Sequence, residues 1–480
     1  MDTIVLRRRT LDAGPRGALC RPDRGGSGAP GAVSTEDSLA RLLIARLSES
    51  DTFSAVRDRL RKRSTLWLLG NSLAALASRC AGAVEQWGIV VLIARTTTPA
   101  TVGVYGLASA VVMPVFGLFG MDLRALLATD YDGRHRATEY MAVRLTTALL
   151  AMVCVLVGAV LLGHSPTFLL VVALVALRKV FEGLSDILYA VMQKYERMDL
   201  TARSAAVKAL VSLGVAGLLL LVTRSLVWAL GALVLTSLGI LFLYDTRLVK
   251  SVESTPVWRA EVVRRRGLVR QAMPLGLVTA LIALQTTVPR YFLAVYHGDA
   301  VVGHLTALSH FLIAGTIVNG AFQQSAGPRL AKYFTMRQRD RFIAAVIALC
   351  CGSAVLGVAG VCFAVLFGPA ILSLVYGRAY VEFADVLPWF MVAGIASYVL
   401  ASVSTALTVV RQLRVQAVAA MCSVVVCGAV SWAFIPSNGA MGAAAAVVAA
   451  SAANVLFSSA ALVREFARCD RVSVEVRDHH

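Results

Sequence analysis

One feature constrains this chain more than any other: stretch after stretch of about twenty apolar residues, separated by short basic links. A helix rises 1.5 Å per residue, so ~20 residues cross the ~30 Å hydrocarbon core of a bilayer. Twelve such stretches can be read, at 66–94, 101–120, 143–162, 167–191, 204–223, 225–244, 272–296, 301–326, 343–367, 383–406, 413–435 and 438–463. Hydrocarbon offers no water to unpaired backbone groups, and uninterrupted apolar runs of this length satisfy them as helices. The expected fold is an all-α polytopic membrane protein. Composition agrees: 58% of the 480 residues are hydrophobic and the mean hydropathy is +0.73, against ~45–50% apolar in soluble domains.

The charges set the orientation. Lys+Arg number 46 and Asp+Glu 28, a net charge of +18. In a soluble chain that balance points to nucleic acid; here it follows the positive-inside rule, and no nucleic-acid partner is expected. With the N-terminus in the cytoplasm, segments 1–65, 121–142, 192–203, 245–271, 327–342, 407–412 and the C-terminal tail are inside. They hold nearly all the loop charge, including Arg264-Arg265-Arg266 and Arg337, Arg339 and Arg341. The only Lys or Arg in the opposite links are Arg95, Arg224 and Arg378. An even number of spans puts both termini inside.

The expected organisation is a basic cytoplasmic arm (1–64), a six-helix bundle (65–244), a cytoplasmic linker (245–271), a second six-helix bundle (272–463) and a tail (464–480). The arm begins Gly/Pro/Arg-rich and disordered, then has an amphipathic helical pattern from Ser34 that can lie on an anionic leaflet. Two halves of like orientation form parallel repeats about an axis along the membrane normal, a transporter plan. No GxxxxGK[ST] motif occurs, so any energy source is an ion gradient, the membrane potential or the substrate gradient. The nine cysteines form no CxxC pair; neither disulfides, metal nor cofactor is expected.

An ionisable residue at the centre of a span costs at least ~2.5–3.5 kcal/mol and asks for a partner or a wet cavity. Arg79 and Glu85 share the first span but lie too far around the helix to pair along it. Arg178, Glu182 and Asp186, spaced i, i+4, i+8 beside Lys179, form a structural charge stripe that can neutralise itself. His310 can carry a coupling proton or serve as a packing residue, and Asn319, Gln323 and Gln324 follow it along the eighth span. In "LQTTVPRYFLAVYHGD" (284–299), Pro289 lacks an N–H and crowds the Gln285 carbonyl, so a helix kink is expected there. Arg290 follows at once, and arginine binds phosphate through a planar pair of donors. A loosened helix carrying an arginine fits an anion site in a cavity.

Four stretches carry a resemblance: "MDLRALLATDY" (121–131), "LRKVFEGLSDILYAVMQKYERMDL" (177–200), "AMPLGLVTALIALQTTVPRYFLAVYHGDAVVGHLTAL" (272–308) and "GPRLAKYF" (327–334). They resemble the polysaccharide-biosynthesis flippases of the MOP (multidrug/oligosaccharidyl-lipid/polysaccharide) exporter superfamily. The resemblance implies two six-helix bundles forming a V, whose first, second, seventh and eighth helices line a cavity. The implied activity moves a lipid-linked (undecaprenyl-diphosphate) oligosaccharide from inner to outer leaflet of the bacterial cytoplasmic membrane by alternating access. Arg79 and Arg290 would then hold the diphosphate; Gln285, Asn319 and Gln323 would meet the sugars; Glu85 or His310 would couple an ion. The implied partners are the lipid-linked glycan, membrane lipids, a polysaccharide polymerase and a chain-length regulator. The alternatives are a MATE-type drug or cation antiporter, a peptidoglycan-precursor flippase, and a membrane glycosyltransferase or polymerase using "TDYDGRHRATEY" (129–140). The reading favoured is a transporter, not an enzyme.

Overall fold

The structure, a computed structural model, describes residues 51–130, 135–253, 257, 265–410 and 412–477. The readings made for residues 1–50, and for most of the link that follows Glu253, lie outside them. Every regular element among the described residues is a helix. The first half comprises α1 (Asp51–Thr96), α2 (Pro99–Gly120), α3 (Leu123–Thr129), α4 (Ala137–Leu161), α5 (Pro166–Lys194), α6 (Met198–Thr223) and α7 (Leu226–Gly239), a π-helical turn (Ile240–Asp245) and α8 (Thr246–Lys250). The second comprises α9 (Arg265–His297), α10 (Asp299–Thr335), α11 (Arg339–Val375), a 3-10 turn (Arg378–Val386), α12 (Leu387–Val409) and α13 (Leu413–Arg477).

Chain contacts divide the molecule into a large unit, Leu60–Ser458, and a small one of Met1–Arg59 with Ser459–His480. The described residues of the small unit are the beginning of α1 and the end of α13.

Helix starts follow local chemistry. The Thr98 and Ser165 hydroxyls accept from the N–H groups of Thr101 and Phe168, with Pro99 and Pro166 in the first helical position, where a missing N–H costs nothing. Among the described residues, ten helical segments are long and apolar enough to cross a membrane. Helix α5 falls outside that set because Arg178, Lys179, Glu182 and Asp186 crowd its second half. The last two predicted spans lie along α13, which breaks at Gly439 (φ 53°, ψ −125°), a backbone conformation open to glycine. Large apolar side chains such as Leu161 (81% exposed), Leu366 (72%) and Trp432 (70%) face outward, as a hydrocarbon solvent favours.

Helix α2 ties the halves together by packing on both α9 and α10. At its start it crosses α10 through glycines: a methyl group on Gly103 would overlap the Asp299 carbonyl, and one on Gly303 the Pro99 carbonyl. At the same end Arg95 donates to the carbonyls of Val375 (2.9 Å), Ser373 (3.2 Å) and Leu374, the open carbonyls ending α11. Trp87 Nε1 donates to the Tyr376 hydroxyl (2.7 Å), which donates to Ala307 O (2.9 Å).

Helix α9 runs unbroken through Pro274 and Pro289, so the kink expected at Pro289 does not interrupt the helix. The Gln285 carbonyl, four residues before Pro289, accepts instead from the Cys427 thiol of α13 at 3.3 Å. A neighbouring helix thus supplies the donor that proline lacks.

Candidate functional site

Three adjoining lobes share lining residues: two stand on first-half helices, with Gln324 reaching one of them, and the third lies where α1 and α2 meet α9 and α10. The largest, about 490 Å³, is lined by Arg79, Glu85, Asp122, Arg124, Asp186, Tyr189, Lys208 and Gln324 among others. A second, about 190 Å³, shares Glu85, Asp186, Tyr189 and Lys208 with it and adds Gln86, Tyr105, Arg178, Lys179 and Glu182. A third, about 200 Å³, shares Gln86, Tyr105, Ser109 and Met113 with the second and contains Thr286, Pro289, Arg290, Ser309 and His310. The basic side chains on these walls (Arg79, Arg124, Arg178, Lys179, Lys208, Arg290) outnumber the acidic ones (Glu85, Asp122, Glu182, Asp186).

Two cross-helix charge clusters occupy the first-half wall. Arg178 meets Glu85 of α1 at 2.7 Å and Glu182 at 2.8 Å. Glu182 also meets Lys179 at 2.7 Å and Lys208 of α6 at 3.5 Å. Asp186 turns away from this group to Arg124 of α3 at 3.2 Å, with Arg144 of α4 at 4.0 Å. The stripe is therefore not a ladder closed on itself. Only Arg178–Glu182 and Lys179–Glu182 close along α5; the remaining pairs tie α5 to α1, α3, α4 and α6. The stripe also stands on the cavity wall, where the sequence reading gave it a structural role alone.

Two arginines behave differently. Arg290 donates to the Ser309 hydroxyl at 3.1 Å, and among the described residues no carboxylate pairs with it. Arg79 lines the large lobe with its guanidinium against Gly320 of α10, again with no carboxylate partner among the described residues. The two occupy different lobes, so they do not converge on one point as the shared diphosphate role requires.

The remaining candidates each have a partner within the protein. Glu85 is buried and held by Arg178. His310 faces the Arg290 lobe while its Nδ1–H donates to Thr306 O at 2.7 Å. Gln285 reaches Ser451 of α13 at 3.3 Å. Asn319 donates to Tyr398 O (3.1 Å) and accepts from Ser353 (2.7 Å). Gln323 donates to Ser402 (2.8 Å) and accepts from Thr405 (3.2 Å). These three amides staple helices together, and the structure does not gather them around Arg290. Gln324, one position on, faces the large lobe instead.

Sequence reasoning missed Lys208, Arg124, Gln86 and Tyr105. Lys208 was open to the rule applied to Arg79, since it is a lone ionisable residue inside an apolar span. Arg124 was assigned to a cytoplasmic link, and the short helix α3 returns it to the wall. Gln86 and Tyr105 carry no signal that separates them from packing residues. Arg144 is structural: it donates to Gly183 O (3.1 Å) and Gly120 O (3.0 Å).

Three comparisons bear on this architecture. Residues 67–334 match the sequence profile of the family described as "Polysaccharide biosynthesis protein". The capsular polysaccharide biosynthesis protein CapF of Staphylococcus aureus is 23% identical over 295 residues, 61% of this chain and 74% of CapF. Among solved structures, the lipid II flippase MurJ in an inward closed conformation superposes with a TM-score of 0.66 at 13% identity, covering 84% of this chain and 90% of MurJ. An inward-facing multidrug resistance MATE family transporter of the MOP superfamily gives 0.61 at 13% identity, covering 84% and 99%. Those likenesses establish the fold, and ten apolar helices on it make a multi-pass membrane protein. The chain belongs to the polysaccharide biosynthesis protein family, built on the fold of the MOP-superfamily transporters.

Proposed function

We propose that this protein is a flippase for a lipid-linked oligosaccharide, carrying its diphosphate head and glycan across the bacterial cytoplasmic membrane while the polyprenyl tail stays in lipid. The observation that carries the reading is the cavity itself. It is charged, set among membrane-spanning helices, richer in cations than in carboxylates, and contains two arginines that no carboxylate neutralises among the described residues. A diphosphate with sugars cannot enter hydrocarbon unaided; a cationic cavity replaces its water and counterions.

Because Arg79 and Arg290 lie in different lobes, the head meets them in turn. Arg79, Lys208 and Arg124 surround the large lobe, and Arg290 with Ser309 forms a second station. Alternating access follows from rocking of the halves across the α2 contacts with α9 and α10. Both termini then lie in the cytoplasm, and a polymerase and a chain-length regulator complete export on the far side. A drug or cation antiporter would place acidic residues free in the cavity; here Glu85, Glu182 and Asp186 are each held by a cation, and among the described residues Asp122 alone of the lining acids has no ion-pair partner.

The test uses a strain lacking the protein. Lipid-linked oligosaccharides are extracted and their leaflet assigned, with wild type and Arg290→Ala as rescuing alleles. The expected result is an intermediate trapped on the inner leaflet, released by wild type and not by an equally expressed Arg290→Ala. An intermediate that never forms would move the protein upstream, to synthesis. A normal distribution would remove this lipid as substrate, and a defect confined to peptidoglycan precursor would assign the head group to that lipid.

A further inference from the structure

One buried acid takes no part in the cavity chemistry described above. Asp245 ends the π-helical turn Ile240–Asp245 and is 0% exposed. The Ser204 hydroxyl of α6 donates to its Oδ1. Ser204 in turn lies 2.8 Å from the Tyr189 hydroxyl of α5, and Tyr189 lines both charged lobes. Oδ2 has no hydrogen-bond partner among the described residues.

The surroundings are sparse in charge. The turn packs against α5, α6, α7 and α8. The charges that act on the carboxyl are those of Lys208 of α6 and Asp186 of α5, and the Ser185 hydroxyl of α5 lies beside it without closing a hydrogen bond to Oδ2. Neither makes an ion pair with it: Asp186 is held by Arg124 and Lys208 by Glu182. Helix α7 carries no titratable residue, and Arg247 and Lys250 of α8 are exposed. The ring of Tyr189 lies under Arg124, 5.6 Å from its guanidinium carbon. An ionised carboxylate in such a place, with one oxygen unsolvated, costs several kcal/mol. A carboxyl kept only for packing would have both oxygens satisfied, and π-helical turns inside helices recur at functional sites.

We propose that Asp245 is a proton-carrying group, connected to the cavity through Ser204 and Tyr189, and that it gains and loses its proton during the transport cycle. The coupling half of this statement rests on the transport reading above; the proton site does not. In the protonating direction, along the hydrogen bond that Ser204 already donates to Oδ1, a hydronium ion in the cavity passes a proton to the Tyr189 oxygen, the Tyr189 proton passes to the Ser204 oxygen, and the Ser204 proton passes to Oδ1. Each hydroxyl gives one proton and takes one, the carboxylate becomes a carboxyl, and no electron moves; the return path needs both hydroxyls turned the other way.

The site is read by infrared difference spectroscopy on the full chain in lipid nanodiscs, stepped in pH and exchanged between H₂O and D₂O. The expected result is a reversible protonated-carboxyl band that shifts in D₂O and is lost in Asp245→Asn. Ser204→Ala and Tyr189→Phe keep the carboxyl, so they should keep the band but slow its deuterium exchange at least tenfold. A band that survives Asp245→Asn overturns the assignment. So does exchange at the wild-type rate in both hydroxyl variants, which decides the matter even where Asp245→Asn does not fold.

Coupling is read in proteoliposomes holding the full chain and a fluorescent undecaprenyl-diphosphate oligosaccharide, with and without an imposed pH gradient. Wild type should respond to the gradient and Asp245→Asn should not. Equal responses overturn the coupling. No flipping by wild type, with the infrared band intact, sinks the transport reading and leaves the proton site standing.

Discussion

Glu182 gathers more charge than any other acid on the cavity wall, and replacing it with glutamine tests whether the cluster is one energetic unit. Its carboxylate meets Arg178 at 2.8 Å, Lys179 at 2.7 Å and Lys208 at 3.5 Å, with 18% of the side chain exposed. Glutamine keeps the size and the hydrogen-bonding oxygen but removes the charge, so three cations face one another with Glu85 alone against them. A single contact at 2.8 Å is worth about 6 kcal/mol at an effective dielectric constant of 20. Breaking one partner out of a buried pair costs a net ~3–5 kcal/mol. Unfolding entropy near 2.1 cal/mol/K per residue, over roughly 400 residues, gives about 0.8 kcal/mol/K, so the melting midpoint should fall by roughly 4–6 °C. The assay is loss of the monodisperse chromatographic peak after heating in detergent. Adding Lys208→Met to Glu182→Gln removes one of the stranded cations and should restore at least half of the loss. A midpoint within ~1 °C of wild type, or a double variant no better than the single, would refute the reasoning.

Two further substitutions probe the frame around the cavity. Gly303→Leu forces α10 off the Pro99 carbonyl of α2; overpacking of about 1–3 kcal/mol should appear as a lower thermal midpoint, while Gly231→Leu, where nothing lies within contact of an added Cβ, should leave it unchanged. Asn319→Ala removes the donor to Tyr398 O and the acceptor of the Ser353 hydroxyl, both of which keep Ser402 as a partner, and should cost about 0.5–1.5 kcal/mol of stability. Release of the lipid-linked intermediate per folded molecule should remain normal, the opposite of Arg290→Ala.

The sequence reading located helices well because a bilayer leaves little choice. Apolar length alone gave the α1, α2, α4, α6, α9, α10, α11 and α12 spans, and the charge stripe exposed α5 as a helix with neighbours to satisfy. It could not say which neighbours. The partner of Arg178 on another helix is Glu85, 93 positions away, and no pattern along one helix foretells a pair across two. Gln285, Asn319 and Gln323 misled for a related reason: an amide in a span signals a hydrogen bond, but water, sugar and a neighbouring serine leave the same trace. Asp245 was read as the first residue of the cytoplasmic link, because a charged residue at the end of an apolar run ordinarily marks the water boundary. The π-helical turn carries the helix past that boundary and buries it.

The division between paired and unpaired cations has a consequence for the head group proposed above. A carrier must let go of what it binds, and a wall of free cations would hold a diphosphate too tightly to release it. On the first-half wall, Lys179 and Lys208 already own Glu182, and Arg124 owns Asp186. An arriving phosphate therefore exchanges one anion for another at these residues, and the net gain is the difference between two similar interactions, not the whole of one. At Arg290 the displaced partner is only the Ser309 hydroxyl, so a larger part of the gain is kept. Affinity should accordingly be concentrated at the unpaired arginines, while the paired clusters keep the lobe polar and folded when it is empty. Changing Lys208 to methionine would then weaken phosphate binding much less than changing Arg290 to methionine, although both remove one charge from the same cavity. Inorganic pyrophosphate titrated against the full-length protein would show it, and equal losses at the two positions would mean that the ion pairs open freely and exert no such restraint.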